Sequence, residues 1–194
     1  MQEGLSTMPE ESNVSLIGAY APDFELPGVD GEVYHLTRYR EQFRALVVIF
    51  MGNECPTVAQ YIDRLKAMQT DFKEEGVSLI GINANAAQEG LKDSFEQMKR
   101  FAQAMELNFP YLRDPSQDVA RGFGATMTPE VYLINQAGVI CYHGAIDDQP
   151  QAADAVSQPY LRRSIQALLA GEAINPTDTA PQGTALTWRK TPVG

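Results

Sequence analysis

Cysteine and histidine are scarce in this 194-residue chain, which holds two of each. Two cysteines cannot build a disulfide framework, and two histidines leave few ligands for a transition metal. Cys141 and His143 share one face of a strand at period 2, but a zinc site needs three or four ligands and His35 is far away in sequence. No metal and no cofactor are therefore expected, and Cys141 reads as an inert strand residue. Basic residues are also in short supply: 15 Lys and Arg stand against 25 Asp and Glu, for a formal net charge of -10. Without clustered cations to hold phosphates, neither nucleic acid nor an anionic membrane is an expected partner. Long apolar runs are missing too. The longest, Ala45 to Met51, falls far short of the roughly 20 residues that span a bilayer, and the first 20 carry acidic residues and no apolar signal core. The expected compartment is the reducing cytoplasm, where thiols are catalytic or inert rather than structural disulfides.

What is present suffices for one well-buried domain, with 44% of residues hydrophobic and 21% charged. We expect a leader over residues 1–19, a domain over 20–171 and a strap over 172–194 packed on it. The pattern predicts strands at Val33 to Leu36, Ala45 to Met51 and Val77 to Asn83, and a short extended piece at Tyr111-Leu112. A hairpin should join Val131 to Ile134 with Val139 to His143. Helices are expected at Pro56 to Glu75, Leu91 to Glu106, Ser116 to Phe123 and Pro159 to Ala170. Strands interleaved with helices predict an α/β fold whose central sheet is covered on both faces, and the hairpin makes that sheet mixed. In the first long helix Val58, Tyr61, Ile62, Leu65, Met68 and Phe72 recur at 3- and 4-residue steps and mark the buried face.

Cys55 follows the apolar strand directly, in Gly52-Asn53-Glu54-Cys55-Pro56-Thr57. Strand, turn, cysteine and proline in that order put the sulfur at a helix N-terminus, where unpaired amides and the helix dipole stabilise a thiolate. A second landmark is Thr128-Pro129-Glu130, which heads the strand beginning at Val131. Asn83 and Asn85 lie just past the end of a central strand, at the edge where open α/β sheets place ligands. Tyr61 and Arg64 lie one and two turns into the active-site helix, with Arg64 either a cationic neighbour of the thiol or surface. Asp147 and Asp148 read as a solvated turn.

With these landmarks, the chain resembles the thioredoxin-like superfamily, in the branch of alkyl hydroperoxide reductase and thiol-specific antioxidant proteins with ResA-type and TlpA-type redoxins. The resemblance runs from Ala21-Pro22-Asp23-Phe24-Glu25-Leu26-Pro27 through Cys55, the position of the first active-site cysteine, to Thr128-Pro129, which matches the cis-proline facing it. It implies a thioredoxin-like fold and a Thr128 backbone open to an extended partner chain. The departures matter equally. Val58 replaces the second cysteine of a CxxC pair, so local dithiol exchange is excluded. Gly52 stands where a peroxiredoxin carries Thr or Ser, and the strand after Pro129 lacks that family's arginine.

A closer resemblance is to bacterial thioredoxin-family proteins with an Asn-His-Cys-Pro site, matched by Asn53-Glu54-Cys55-Pro56, Ile82-Asn83-Ala84-Asn85, Phe109-Pro110-Tyr111-Leu112, Thr128-Pro129-Glu130 and the tail Gly183 to Trp188. Glu54 replaces the histidine, and Thr184 replaces a second cysteine. A carboxylate beside the thiol is expected to oppose its ionisation. The implied site is Cys55, with Asn53, Glu54, Pro56, Thr128, Pro129, Glu130, Asn83 and Asn85 around it. Three activities fit: a single-cysteine oxidoreductase attacking a peroxide or disulfide and resolved by an external thiol, either thioredoxin or a small molecule; a non-catalytic binding module; and a redox sensor. The first is favoured.

Overall fold

The computed structural model of the protein describes residues 15–86 and 94–190. Glu25–Pro27 (β1) pairs antiparallel with Val33–His35 (β2), followed by the short helix Leu36–Arg40 (α1). Ala45–Phe50 (β3) leads into Pro56–Phe72 (α2), then Val77–Asn83 (β4), Phe95–Ala104 (α3) and Tyr111–Arg113 (β5). Asp118–Phe123 (α4), Met127–Thr128 (β6), Glu130–Asn135 (β7) and Ile140–Gly144 (β8) come next. The chain ends with Tyr160–Ala170 (α5) and Thr184–Ala185 (β9).

β3 explains the layering. Its six residues are all buried, and alternation sends Val47 and Ile49 to one face and Leu46, Val48 and Phe50 to the other, so both faces must be covered. On the first face pack α2, through the periodic residues from Val58 to Phe72, together with Met98 of α3 and Leu161 and Ile165 of α5. On the second pack Leu36 of α1 and Ala120 and Phe123 of α4. The five strands run in the order β5-β4-β3-β7-β8, parallel from β5 to β3 and antiparallel across β3, β7 and β8. This is a mixed sheet with helices on both faces.

Both sheet edges are capped. On β8, Ile140 exchanges backbone hydrogen bonds with Gly18 and Ala19, and His143 does so with Thr177 and Thr179. On β5, the Val29 amide donates to Tyr111 and Gly28 bridges Leu112. Gly144 is required where the strap crosses it: its φ is +132°, and a Cβ there would lie 2.0 Å from the Thr179 carbonyl oxygen.

Some expected boundaries move. Leu36 starts α1 instead of ending a strand. α2 stops at Phe72, and the next three residues tighten into a 3₁₀ turn. α3 begins at Phe95 because the Ser94 hydroxyl caps it by accepting the Gln97 amide; Leu91 lies outside the described residues. The solvated turn expected at Asp147 is a correction. Asp147 is buried, accepts the Tyr61 hydroxyl at 2.7 Å and pairs with Arg64 at 2.7 Å. Two α2 residues one turn apart thus grip this carboxylate, and Arg64 also donates to the carbonyls of Gln149 and Pro150, bracing the loop after β8.

Candidate active site

β3 delivers the chain to the site. After Phe50 the backbone turns through Gly52, Asn53 and Glu54, and Cys55 becomes the N-cap of α2 with extended φ −72° and ψ 115°. Pro56 occupies the first helical position, where its missing N–H costs nothing. Cys55 is 5% exposed. Its sulfur donates to the Thr128 carbonyl oxygen at 2.9 Å and lies 3.3 Å from the Thr184 hydroxyl. Glu54 and Pro56 face solvent on either side.

The Thr128-Pro129 bond is cis, and Thr128 stands directly against the sulfur. Glu130, 2% exposed, builds the preceding turn by accepting the amides of Thr126 and Met127, both at 2.8 Å. Its other oxygen accepts the Tyr132 hydroxyl at 3.0 Å and meets His143 Nε2 at 2.7 Å, and His143 Nδ1 reaches Asp178 of the strap at 3.2 Å. Burial raises the Glu130 carboxyl, and hydrogen bonds from His143 and the two amides outweigh it, leaving the group below its ordinary value. Burial lowers the His143 imidazole, and bonds to Glu130 and Asp178 outweigh that, raising it.

The Thr128 backbone, expected to be open to a partner, is already paired. β9 runs antiparallel to β6 with Met127 opposite Ala185 and Thr128 opposite Thr184. Gly183 permits this approach, since a Cβ there would lie 2.0 Å from the Thr128 carbonyl oxygen. Asn85 and Gln117 anchor the strap beyond β9: Asn85 Oδ1 accepts the Thr187 amide at 2.9 Å, and the Gln117 side chain joins Ala84, Thr187 and Arg189. Asn83 reaches the cysteine loop indirectly, donating to the Tyr111 hydroxyl, which donates to Asn53. Asn83 and Asn85 therefore shape the loop and strap around the thiol, while the sulfur itself meets Thr128 and Thr184.

Sequence reasoning missed Tyr111, Gln117, His143 and Asp178 as parts of this frame. Tyr111 lies within the Phe109-Pro110-Tyr111-Leu112 motif and His143 reads in sequence only as a candidate metal ligand, while Gln117 and Asp178 leave no signal of their own.

The two thiols differ in charge preference. At Cys55, burial raises the pKa, while the Thr128 and Thr184 side chains and the Val58 and Thr184 amides more than offset it, leaving the thiol below its ordinary value. Val58 is the third residue of α2, so its amide is one of the helix's unpaired donors. Glu54, expected to oppose ionisation of the thiol, is exposed, and water screens its charge. At Cys141, burial raises the thiol and Asn135 only partly offsets it.

A mixed five-stranded sheet, a cysteine capping the helix after its central strand and a cis-proline against that sulfur together define a thioredoxin-like redoxin. Residues 17–143 match the AhpC/TSA family, and the chain belongs to it. It is similar to thiol-disulfide oxidoreductase ResA of Halalkalibacterium halodurans, 25% identical over 130 residues that cover 67% of this chain and 69% of that protein. It is also similar to peroxiredoxin Bcp of Escherichia coli, 33% identical over 107 residues covering 55% and 63% of the two chains. The crystal structure of an uncharacterized conserved protein from Geobacillus kaustophilus superposes with a TM-score of 0.85 at 33% identity, covering 96% of this chain and all of that one (100%).

Proposed function

We propose that the protein is a single-cysteine thiol oxidoreductase that reduces a small hydroperoxide with Cys55 and is reset by an external thiol. The carrying observation is the Cys55 sulfur at the N-terminus of α2, held below its ordinary pKa and facing Thr128-Pro129. The names of the similar proteins, an oxidoreductase and a peroxiredoxin, support this chemistry.

The reaction begins with the Cys55 thiolate attacking one peroxide oxygen. The S–O bond forms, the O–O bond breaks, and the departing alkoxide takes up the proton the thiol released, giving an alcohol and a sulfenic acid. An external thiol then condenses with the sulfenic acid, releasing water and forming a mixed disulfide. A second thiol attacks its own kind in that disulfide, so the external pair leaves oxidised and Cys55 returns as a thiol. The external donor is invoked because the chain's second cysteine, Cys141, stands on β8 beside Leu133 and Ile134, several residues along β7 from the Thr128 that Cys55 touches. Composition supports a cytoplasmic setting, where thioredoxin or a small thiol supplies the electrons.

A small oxidant is favoured over an extended polypeptide because β9 already fills the strand edge at Thr128. A peptide-binding module at this edge would first have to displace the strap.

The test is intact mass after mild hydroperoxide with a sulfenic-acid trap, for wild type and Cys55→Ser, alongside peroxide consumption with added thiol. One trapped adduct in wild type and none in the variant supports the reading. Peroxide consumption unaffected by Cys55→Ser overturns it.

A further inference from the structure

We infer that Thr184 is a second catalytic residue: the C-terminal strap delivers its hydroxyl to Cys55, where it donates the hydrogen bond that holds the thiolate ready for attack. The inference rests on Cys55 being the nucleophile proposed above and names a residue that the active-site loop itself lacks. Three positions before Cys55 the chain carries Gly52, so the loop offers no hydroxyl of its own there.

The surroundings of the sulfur explain why a donor is needed. The resting thiol donates its proton to the Thr128 carbonyl oxygen at 2.9 Å. A carbonyl oxygen stabilises S–H and repels a thiolate, so ionisation at this spot requires compensation from a donor on another side. The Thr128 hydroxyl and the Val58 and Thr184 amides also favour the anion, but Thr128 divides its one hydroxyl hydrogen between the sulfur and the Thr184 carbonyl, 3.4 Å away. Thr184 is well placed. Its Oγ1 lies 3.3 Å from the sulfur, within reach for a hydrogen bond to the larger sulfur atom, and once the proton leaves, the hydroxyl can turn its own hydrogen toward the anion. Thr184 is solvent-exposed while Cys55 is buried.

The strap is built to hold this one residue in register. Gly183 is pressed so closely on the Thr128 carbonyl that no side chain fits, Thr184 pairs across from Thr128, and Ala185 pairs across from Met127. Beyond them, the Leu186 amide donates to Thr126 and the Leu186 side chain is buried against α4's layer. A shift by one residue would turn the hydroxyl away and bring Leu186 out of the core.

The experiment is the pH dependence of Cys55 alkylation by iodoacetamide, measured by peptide mapping in wild type, Thr184→Ser, Thr184→Val and Gly183→Ala, with circular dichroism to establish folding. Thr184→Val should raise the alkylation midpoint by about one pH unit and slow the reaction at neutral pH about tenfold, the consequence of losing one donor to a thiolate. Thr184→Ser should keep the wild-type midpoint. Gly183→Ala, which retains the hydroxyl but displaces the strap, should behave like Thr184→Val. If Thr184→Val does not fold, Gly183→Ala against Thr184→Ser makes the same comparison. A wild-type midpoint in Thr184→Val or Gly183→Ala, or a Thr184→Ser variant as impaired as Thr184→Val, overturns the inference. Alkylation uses no peroxide, so a wild-type chain that alkylates as described but leaves hydroperoxide intact would overturn the proposed reaction and not the role of Thr184.

Discussion

His143 Nε2 lies 2.7 Å from Glu130 Oε1, joining β8 to the carboxylate that shapes the turn before Pro129. The same ring faces Asp178 from the strap and stacks on Tyr132 at 4.7 Å between centroids. An imidazole between two carboxylates binds its proton more tightly, which makes this joint depend on pH.

Stability should therefore decline on both sides of a plateau. His143 has a raised folded value, so its contribution is complete below its ordinary pKa of 6.5 and is lost as pH rises from there through the folded value. Glu130 has a lowered folded value, so its contribution is complete above 4.5 and is lost as pH falls through the folded value. Urea denaturation across pH 3–9 should show both declines, and His143→Gln should flatten the alkaline one. An alkaline limb unchanged in that variant would assign the decline to other groups.

Cys55 should react with a limiting alkylating agent before Cys141. Its thiol is lowered and sits on a helix N-terminus, whereas burial raises that of Cys141. Peptide mapping after partial labelling reads the order directly, and Cys141 labelled first would remove the site assignment.

Oxidised wild type should show no loss of two hydrogens in non-reducing mass spectrometry, because Cys55 rests on Thr128, whereas Cys141 lies several residues along β7 from it, beside Leu133 and Ile134. Thr184→Cys should show that loss. The Thr184 hydroxyl already lies 3.3 Å from the Cys55 sulfur, so a small rotation would bring two sulfurs into bonding range.

Asp147→Ala should destabilise the fold by about 3 kcal/mol, the usual cost of breaking a largely buried ion pair and stranding its partner. Arg64 and Tyr61 would both lose their acceptor, and the loop after β8 would lose its brace. Chemical denaturation measures the loss, and Asp148→Ala, which removes three solvent-exposed hydrogen bonds from Ser157 and Gln158 but strands no buried charge, is the control expected to cost less.

The parts of the fold legible in the sequence are those where burial repeats. β3 and β4 are continuous apolar runs, and the 3- and 4-residue spacing in α2 marks the residues that pack on them. The place of Cys55 was legible because a strand end and a helix start leave local marks, whereas the cis bond at Pro129 was legible only through the family resemblance. α1 was not, since five residues carry too little periodicity to read. Nor was β9: two exposed residues pair with a segment more than 50 positions earlier through backbone groups, which leave no side-chain pattern. Asp147 and Asp148 look alike in sequence; only the arrival of Tyr61 and Arg64 across the sheet end makes one a buried anchor and the other a surface brace.

Two outer strands carry another implication. In most open sheets the outermost backbone offers a ladder that a neighbouring molecule can extend, and proteins blunt it with charge, bulges or short strands. Here the chain covers β8 with residues from both of its ends and β5 with the segment before β2. Cleavage after Gly171 would strip the Thr177 and Thr179 cover from His143 and bare the Met127-Thr128 edge, creating two adhesive strips on one molecule. Such a fragment should self-associate more readily than the full chain, which size-exclusion chromatography of the two would read directly.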